Sequence, residues 1–544
     1  MHKKLKSYFK KSAAVFTAAA LTLSAGSAVV FGAGSYQEEE KKAFSKAIEN
    51  LPKSYENLVE EYKAISTGAQ ANFSVQLEDA GRSMLSLLTA ADFSWLNKLE
   101  LKTKVLFQGG VEGVDMNLVL NDTQICNLQS YLDFYEQLNH IKIPELFDGY
   151  VKADMDVHTY DEDGNPSPVY DEISTAQLEQ YMEFIMNMGD YMPQVSIVDT
   201  LVNRYGNLII DHISDTSSSE EVLTLEDITQ ECTVYEGRLN PEELYTLAED
   251  ILTTAKEDAE LKEVLTAWEE TIPNAQNLYQ NFLNGIDDSL TDIRTSEYDP
   301  ENNSYISSKI WVSEDDVIVG RQFSVTDSTG TDPVITWQMP QQDGKYEYLL
   351  DFASEDSRLS LTGSGNITDN TMTGTYYLYS DSQPLISIEM ENHDLASAKE
   401  GYGNVTYTIT PLPGIADEET YNILSNFSLI ADFASQKNNS TISLSVTSAG
   451  AVLGTIKIDS IVGSDMVIPE ITESDKVYDT AADEDGVAFA EALSFDKIFD
   501  NLRQAGVPEE LVLQLEASLE ASLSPSEDGY LYDDEYLYDD YEES

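Results

Sequence analysis

Cysteine, histidine and positive charge are scarce in this chain. Two cysteines and five histidines occur in 544 residues, and 31 Lys and Arg stand against 98 Asp and Glu. So few thiol and imidazole ligands leave little room for zinc or copper centres. The patterns HExxH, CxxC and GxSxG are all missing. A net charge of −67 repels nucleic acid and anionic headgroups, and it attracts cations and basic partners. Long uncharged apolar runs are missing too, except at the N-terminus.

That exception reads as an export signal. Lys3, Lys4, Lys6, Lys10 and Lys11 form a cationic flank, and residues 12–34 follow without a charge. Such a run satisfies its backbone in lipid only as a helix. Gly26-Ser27-Ala28 and Gly32-Ala33-Gly34 offer small residues for a signal peptidase. The run is also long enough to span a bilayer of roughly 30 Å, so a retained anchor fits equally well. No cysteine lies near it, which excludes a lipoprotein anchor at this end. The chain is therefore expected outside the cytoplasm, in a bacterial envelope, either secreted or held by residues 12–34. Contact with the membrane is expected only through that segment.

The rest divides by pattern. Residues 35–66 are rich in Glu and Lys and read as a helical stalk. Residues 67–296 mix strands with helices. Phe73, Val75 and Leu77 alternate with polar residues, as do Leu99, Leu101 and Val105. Asn121-Asp122 marks a turn, and Ser217-Ser218-Ser219 reads as a loop. Asn240-Pro241-Glu242-Glu243 is a strong helix start, with a capping side chain, a first-turn proline and acids at the positive end of the dipole. Residues 297–461 keep a period of two over about ten short strands, which predicts an antiparallel, half-solvated meander. Residues 462–485 read as a polar linker and 486–523 as a helical pair. Residues 524–544, where Tyr-Leu-Tyr-Asp-Asp occurs twice, form an acidic tail expected to be disordered. The fold class expected is α+β: a curved, half-barrel-like antiparallel β-meander packed with amphipathic helices.

Chemistry-bearing groups are few. Cys126 and Cys232 make an even pair, open to disulfide formation outside the cytoplasm or to two separate buried thiols. Asp154, Asp156, Asp161 and Asp163 gather the carboxylates that calcium prefers, although Thr159 and Tyr170 occupy the positions where an EF-hand needs acids. His212 sits on an apolar helix face and reads as a packed residue. Met182, Met186, Met188 and Met192, at helical spacing, read as core or pocket lining rather than copper ligands. Ser494 to Lys497 matches SxxK, but no companion motif accompanies it.

Leu118-Val119-Leu120-Asn121-Asp122, Ile125-Cys126 and Ile143-Pro144-Glu145-Leu146 resemble a family of uncharacterised, leader-bearing acidic exported proteins from anaerobic clostridia. The order of elements resembles it as well: Cys232 in a strand, the Asn240-Pro241 helix, then a long meander. No activity is implied by that resemblance. In outline, the meander with helices is also similar to the half-barrel of lipoprotein carriers. No catalytic residue or bound cofactor is expected, calcium apart. The leading expectation is a non-catalytic envelope or cell-surface protein that binds a lipid-like apolar ligand or a basic protein partner. The alternatives are an exported carboxylate-dependent hydrolase and a calcium-dependent structural or adhesive module.

Overall fold

The computed structural model describes residues 35–523, except 66, 137, 155–157, 161–165, 169–183, 185–186, 273–274, 296–303, 355–356 and 480–482. The leader and the Tyr-rich tail lie outside the described residues. Among the described residues no helix is long and apolar enough to cross a membrane.

Ser35 opens the first helix with a capping box. Its hydroxyl accepts from the Glu38 amide at 3.3 Å while its own amide donates to Glu38 at 3.1 Å. That helix, α1 (Tyr36–Ala47), is followed by α2 (Leu51–Ile65). Strand β1 (Ala69–Leu77) leads to α3 (Asp79–Thr89) and then to a meander. Its strands are β2 (Lys98–Gln108), β3 (Val111–Leu120), β4 (Thr123–Asp133), β5 (Leu138–Lys142) and β6 (Tyr150–Asp154). β7 (His158–Tyr160) and β8 (Pro166–Pro168) pair only with each other.

Helices α4 (Met188–Tyr191) and α5 (Val195–Asp211) precede the hairpin of β9 (Ser214–Leu225) and β10 (Ile228–Leu239). Asn240 then caps α6 (Pro241–Glu257) with a second capping box, as its sequence predicts. α7 (Ala259–Thr271) and α8 (Leu278–Thr295) complete the helical block. The long meander follows: β11 (Tyr305–Ser313), β12 (Ile318–Asp327), β13 (Gly330–Gln338), β14 (Gln341–Gln342), β15 (Lys345–Ala353), β16 (Arg358–Thr368), β17 (Thr371–Ser380) and β18 (Gln383–Asp394). α9 (Leu395–Ala398) and β19 (Gly403–Pro411) come next, then α10 (Glu418–Leu424). β20 (Phe427–Gln436), β21 (Asn439–Ser448) and β22 (Ala451–Val462) end the meander. β23 (Val477–Asp479), α11 (Asp483–Ala492), α12 (Asp496–Gln504) and α13 (Glu509–Leu523) finish the chain.

Tight turns fix the registers. Asn121-Asp122, Asp369-Asn370 and Asp343-Gly344 each place two residues at positive φ, the geometry whose twist matches paired antiparallel strands. The result is one curved, unclosed sheet of 21 strands, antiparallel except where β23 pairs with β6. Two joints make it continuous. β10 pairs with β11 across the helical block, and β22 pairs with β1 from Leu77↔Gly454 to Ala69↔Val462. The fold is α+β, with the helical pair α12 and α13 at its C-terminal end.

Several local expectations are revised. Residues 36–65, read as a stalk, are packed on the body. Tyr36 is fully buried with Ile213, Tyr235, Leu239 and Ile310, beneath α5 and α6. Glu40 on α1 forms a buried bidentate pair with Arg321 on β12, with Arg321 Nη2 donating at 2.8 Å. The Tyr36 hydroxyl donates to the same carboxylate at 2.7 Å. Burial opposes the Arg321 charge, but Glu40 more than offsets it. Residues 217–219, read as a loop, lie inside β9, an edge strand whose solvated side needs no apolar alternation. The polar stretch read as a linker contains β23, and its Tyr478 is buried against Phe147 and Phe489.

Leaving one member of a buried pair uncompensated typically costs about 3–5 kcal/mol. Arg321→Met should lower denaturant stability by that order, and Glu40→Met/Arg321→Met together should recover most of it. Equal losses in the single and double variants would remove the pair from its pinning role.

Candidate functional site

The sheet separates its chemistry by face. Paired residues in neighbouring antiparallel strands point to the same side. Leu101, Phe73, Ile458, Ile442, Phe433 and Val405 form one row from β2 through β1, β22, β21 and β20 to β19. Leu99, Val75, Ile456, Leu444, Ala431 and Tyr407 form the next. Val446, Leu429, Ile409, Ile388 and Tyr376 extend the face to β17. No residue in these rows carries a charge. With strands spaced by 4.7–4.9 Å, the span from β2 to β19 is roughly 24 Å.

Coverage of this face changes along the sheet. At β15 to β19 it is closed by its own side chains, where Tyr346, Tyr376 and Met390 are buried. From β20 to β2 it is open. Phe73 is 41 % exposed and Ile458 38 %, and Leu99, Leu101, Phe433, Ile442, Val446 and Ile456 are exposed as well. Isolated exposed apolar residues are ordinary, but contiguous ones mark binding surfaces.

The opposite face is polar and internally neutralised. Glu100, Ser74, Lys457, Ser443, Asp432 and Thr406 occupy one of its rows. Lys98 lies 3.0 Å from Glu100, Lys104 2.6 Å from Asp465 and Lys457 2.9 Å from Asp459. Burial pushes the Glu100 carboxyl up, but Lys98, Asn72 and Lys102 together hold it below the usual carboxylate range.

Buried carboxylates elsewhere are mostly committed to structure. Asp258 caps α7 and is held ionised, against burial, by Arg204, the Leu261 amide and Tyr205. Asp351 accepts from Arg358 at 2.6 Å and from Ser360 at 2.5 Å. Glu347 on β15 differs. It is buried, its Oε1 accepts from the Asp227 amide at 3.2 Å, and its Oε2 has no partner. Burial, with the Asp227 and Glu226 charges beside it, raises its carboxyl above the ordinary range. The β9–β10 turn thus rests on a carboxyl that holds its proton more tightly than an exposed one. Nothing in the local sequence marks Glu347, because the residues that bury it arrive from 120 positions away.

The other residues singled out from sequence disperse. Asp154 ends β6, while Asp156, Asp161 and Asp163 lie outside the described residues. Among the described residues no group of three or more His, Cys, Asp or Glu is placed to hold a metal ion. Both cysteines are free. Cys126 on β4 is half-buried, and Cys232 on β10 is buried with Leu223, Val234 and Trp311. Burial raises both thiols, Cys232 to about 11, which suits inert rather than nucleophilic sulfur. His212 is a packed residue at the end of α5, 2.8 Å from the Leu208 carbonyl and 2.8 Å from Asp250. Met188 begins α4, and Met182 and Met186 lie outside the described residues. Ser494 donates to Asp496 and Lys497 to the Pro144 carbonyl, so they form no catalytic pair.

No protein-family model, curated protein or solved structure matches this chain.

The Glu347 arrangement has a definite pH signature. Because its folded-state pKa is raised, its contribution to stability is complete below about pH 4.3, the unfolded value, and is lost as pH rises through the folded one. Glu347→Gln keeps the acceptor for the Asp227 amide and removes the ionisation. Relative to this variant, the wild-type melting temperature should fall as pH rises from that value towards neutrality. Parallel pH profiles for the two proteins would show that Glu347 ionises without penalty.

Proposed function

We propose that this chain is a non-catalytic extracytoplasmic protein that carries or shelters a long-chain amphiphile on the open apolar face between β20 and β2. One observation carries the reading: an uncharged face of five strands, roughly 19 Å across, lies open from β20 to β2 in a chain of net charge −67. One leaflet of a bilayer is half of a roughly 30 Å hydrocarbon core, so an ordinary acyl chain fits along the rows. The leader read at residues 1–34 supports an envelope location, where amphiphiles are the abundant apolar molecules.

The charge distribution narrows the ligand further. The rows hold no cation to fix an anionic headgroup, and the whole molecule repels one. A neutral or zwitterionic amphiphile is therefore favoured over a free fatty acid. Carriage rather than chemistry is favoured because the named rows are built of aliphatic and aromatic side chains, with no carboxylate, imidazole, thiol or serine among them.

Native mass spectrometry of protein purified without detergent should show bound amphiphile, or uptake of monoacylglycerol or lysophosphatidylcholine on addition. Ile458→Glu sets a carboxylate against the bound chain and should cut uptake by at least about tenfold. Thr455→Glu, three residues back on the opposite face of β22, should leave uptake intact. An unliganded mass in every case, with no uptake by wild type, would overturn the proposal.

A further inference from the structure

At one end of the open face, large apolar side chains stand clear of the fold. The backbone at the N-terminal half of α3 lies against β22. Glu78 donates its amide to the Leu453 carbonyl at 3.0 Å, and a side chain at Gly81 would meet the same carbonyl. Arg82 fixes the helix further by donating to the Leu77 carbonyl at 2.5 Å and pairing with Asp79. The C-terminal half then carries Leu87 and Leu88 outward, 84 % and 69 % exposed. Beside it runs the β21–β22 turn, with Val452 exposed, and the Ala449 amide donates to the Asn426 carbonyl just after α10. On α10, Ile423 is 61 % exposed, and Ile415 before it is exposed as well.

These residues make one rim. The order α10, β20, β21, β22, α3, β1 puts them side by side at the same ends of adjacent strands. Val446 and Leu429 continue the rim directly into the open face. Leucine and isoleucine exposed to this degree at loop and helix tips lose hydration gladly and have no fold partner.

We propose that this rim docks on a lipid bilayer surface of neutral or zwitterionic headgroups, with α3 and α10 pressing Leu87, Leu88 and Ile423 into the interface. Charge sets the choice of surface. Among the described residues Arg82 is the one cation on α3, α10 and the turn between them, and it is already tied to Asp79. Asp92, Asp417, Glu418 and Glu419 flank the rim, so an anionic bilayer is repelled while a zwitterionic one is not. The half-buried Tyr421 on α10 has the amphipathic ring that settles at the headgroup level. An amphipathic element of this kind lies in the interface and does not span it. Docking stands on the rim itself; only its use as the port by which ligand reaches the open face rests on the carrier reading.

The test uses the full chain and phosphatidylcholine vesicles whose acyl chains are brominated. The leader is apolar, so binding alone is not informative and the readout must be local. A tryptophan introduced by Leu88→Trp is compared with one introduced by Leu58→Trp on α2. Leu58 is also exposed, but α2 ends where β1 begins and α3 starts where β1 ends. Docking through the rim predicts bromine quenching at position 88 at least about threefold that at position 58, falling when phosphatidylglycerol is added at low salt. Leu87→Asp/Leu88→Asp should weaken rim docking by about tenfold for each leucine, with an unchanged melting temperature because both side chains are exposed. Quenching at position 88 no greater than at position 58 overturns the proposal, as does quenching that grows with phosphatidylglycerol. Amphiphile uptake measured without vesicles tests the carrier reading separately, so either can fail alone.

Discussion

The pairing of β1 with β22 is the constraint on which the architecture depends. Nine consecutive residue pairs join the first strand of the chain to the last strand of the meander, nearly four hundred positions away. Without it, β1 to β6 would be a small sheet with an open edge, and β9 to β22 a long one with another. Each exposed edge is a row of unpaired amides and carbonyls ready to pair with another chain. With it, two edges vanish into the sheet interior, and the apolar rows of both halves merge into one surface. The open face exists because of this seam, since Phe73 and Val75 on β1 bridge Leu99 and Leu101 to Ile456 and Ile458.

A seam this non-local is slow to form, because loop closure must be paid for before its contacts give anything back. The remaining structure helps to hold the ends in place. Helix α1 is pinned by Glu40 to Arg321, on the opposite side of the chain's midpoint. Asn121 at the β3–β4 turn donates to the Ala505 carbonyl at 2.7 Å, which ties the C-terminal helices to the N-terminal meander. Around it Leu120, Ile125, Val507 and Val512 are buried together. N-terminal elements therefore meet C-terminal ones at three places, so the native state is reached only once the whole chain is available.

Local structure was legible in the sequence, and long-range structure was not. Asn121-Asp122 announced its turn, because few residues tolerate positive φ at two successive positions. Asn240-Pro241-Glu242-Glu243 announced its helix through capping chemistry that needs no tertiary partner. Period-two alternation located the meander and its apolar face, yet could not say that Phe73 would sit beside Ile458. Composition misled where charge suggested solvent: Glu39 and Glu40, in a run that looks like a solvated stalk, are both buried. The same is true of Glu347, whose Tyr-Glu-Tyr context is that of an ordinary half-solvated strand. For β9 the error ran the other way, since serine and glutamate on an edge strand imitate a loop.

The acidic coat and the apolar face are best understood together. An uncovered apolar surface ordinarily invites self-association, and burial of even a few hundred Å² against another copy would be worth several kcal/mol at about 25 cal/mol per Å². Net charge opposes this. At physiological salt the screening length is about 8 Å, so repulsion is felt only near contact, where two copies bring their acidic rims together. A neutral amphiphile brings no such charge and meets none in the rows from β2 to β19. On the carrier reading proposed above, the 98 carboxylates would act less as a partner-seeking field than as a filter. They make the molecule's own copies and anionic surfaces poor partners for the open face, and they leave uncharged apolar molecules unopposed. On this view charge and hydrophobicity are two halves of one selectivity device, divided between the edges of a sheet and its face.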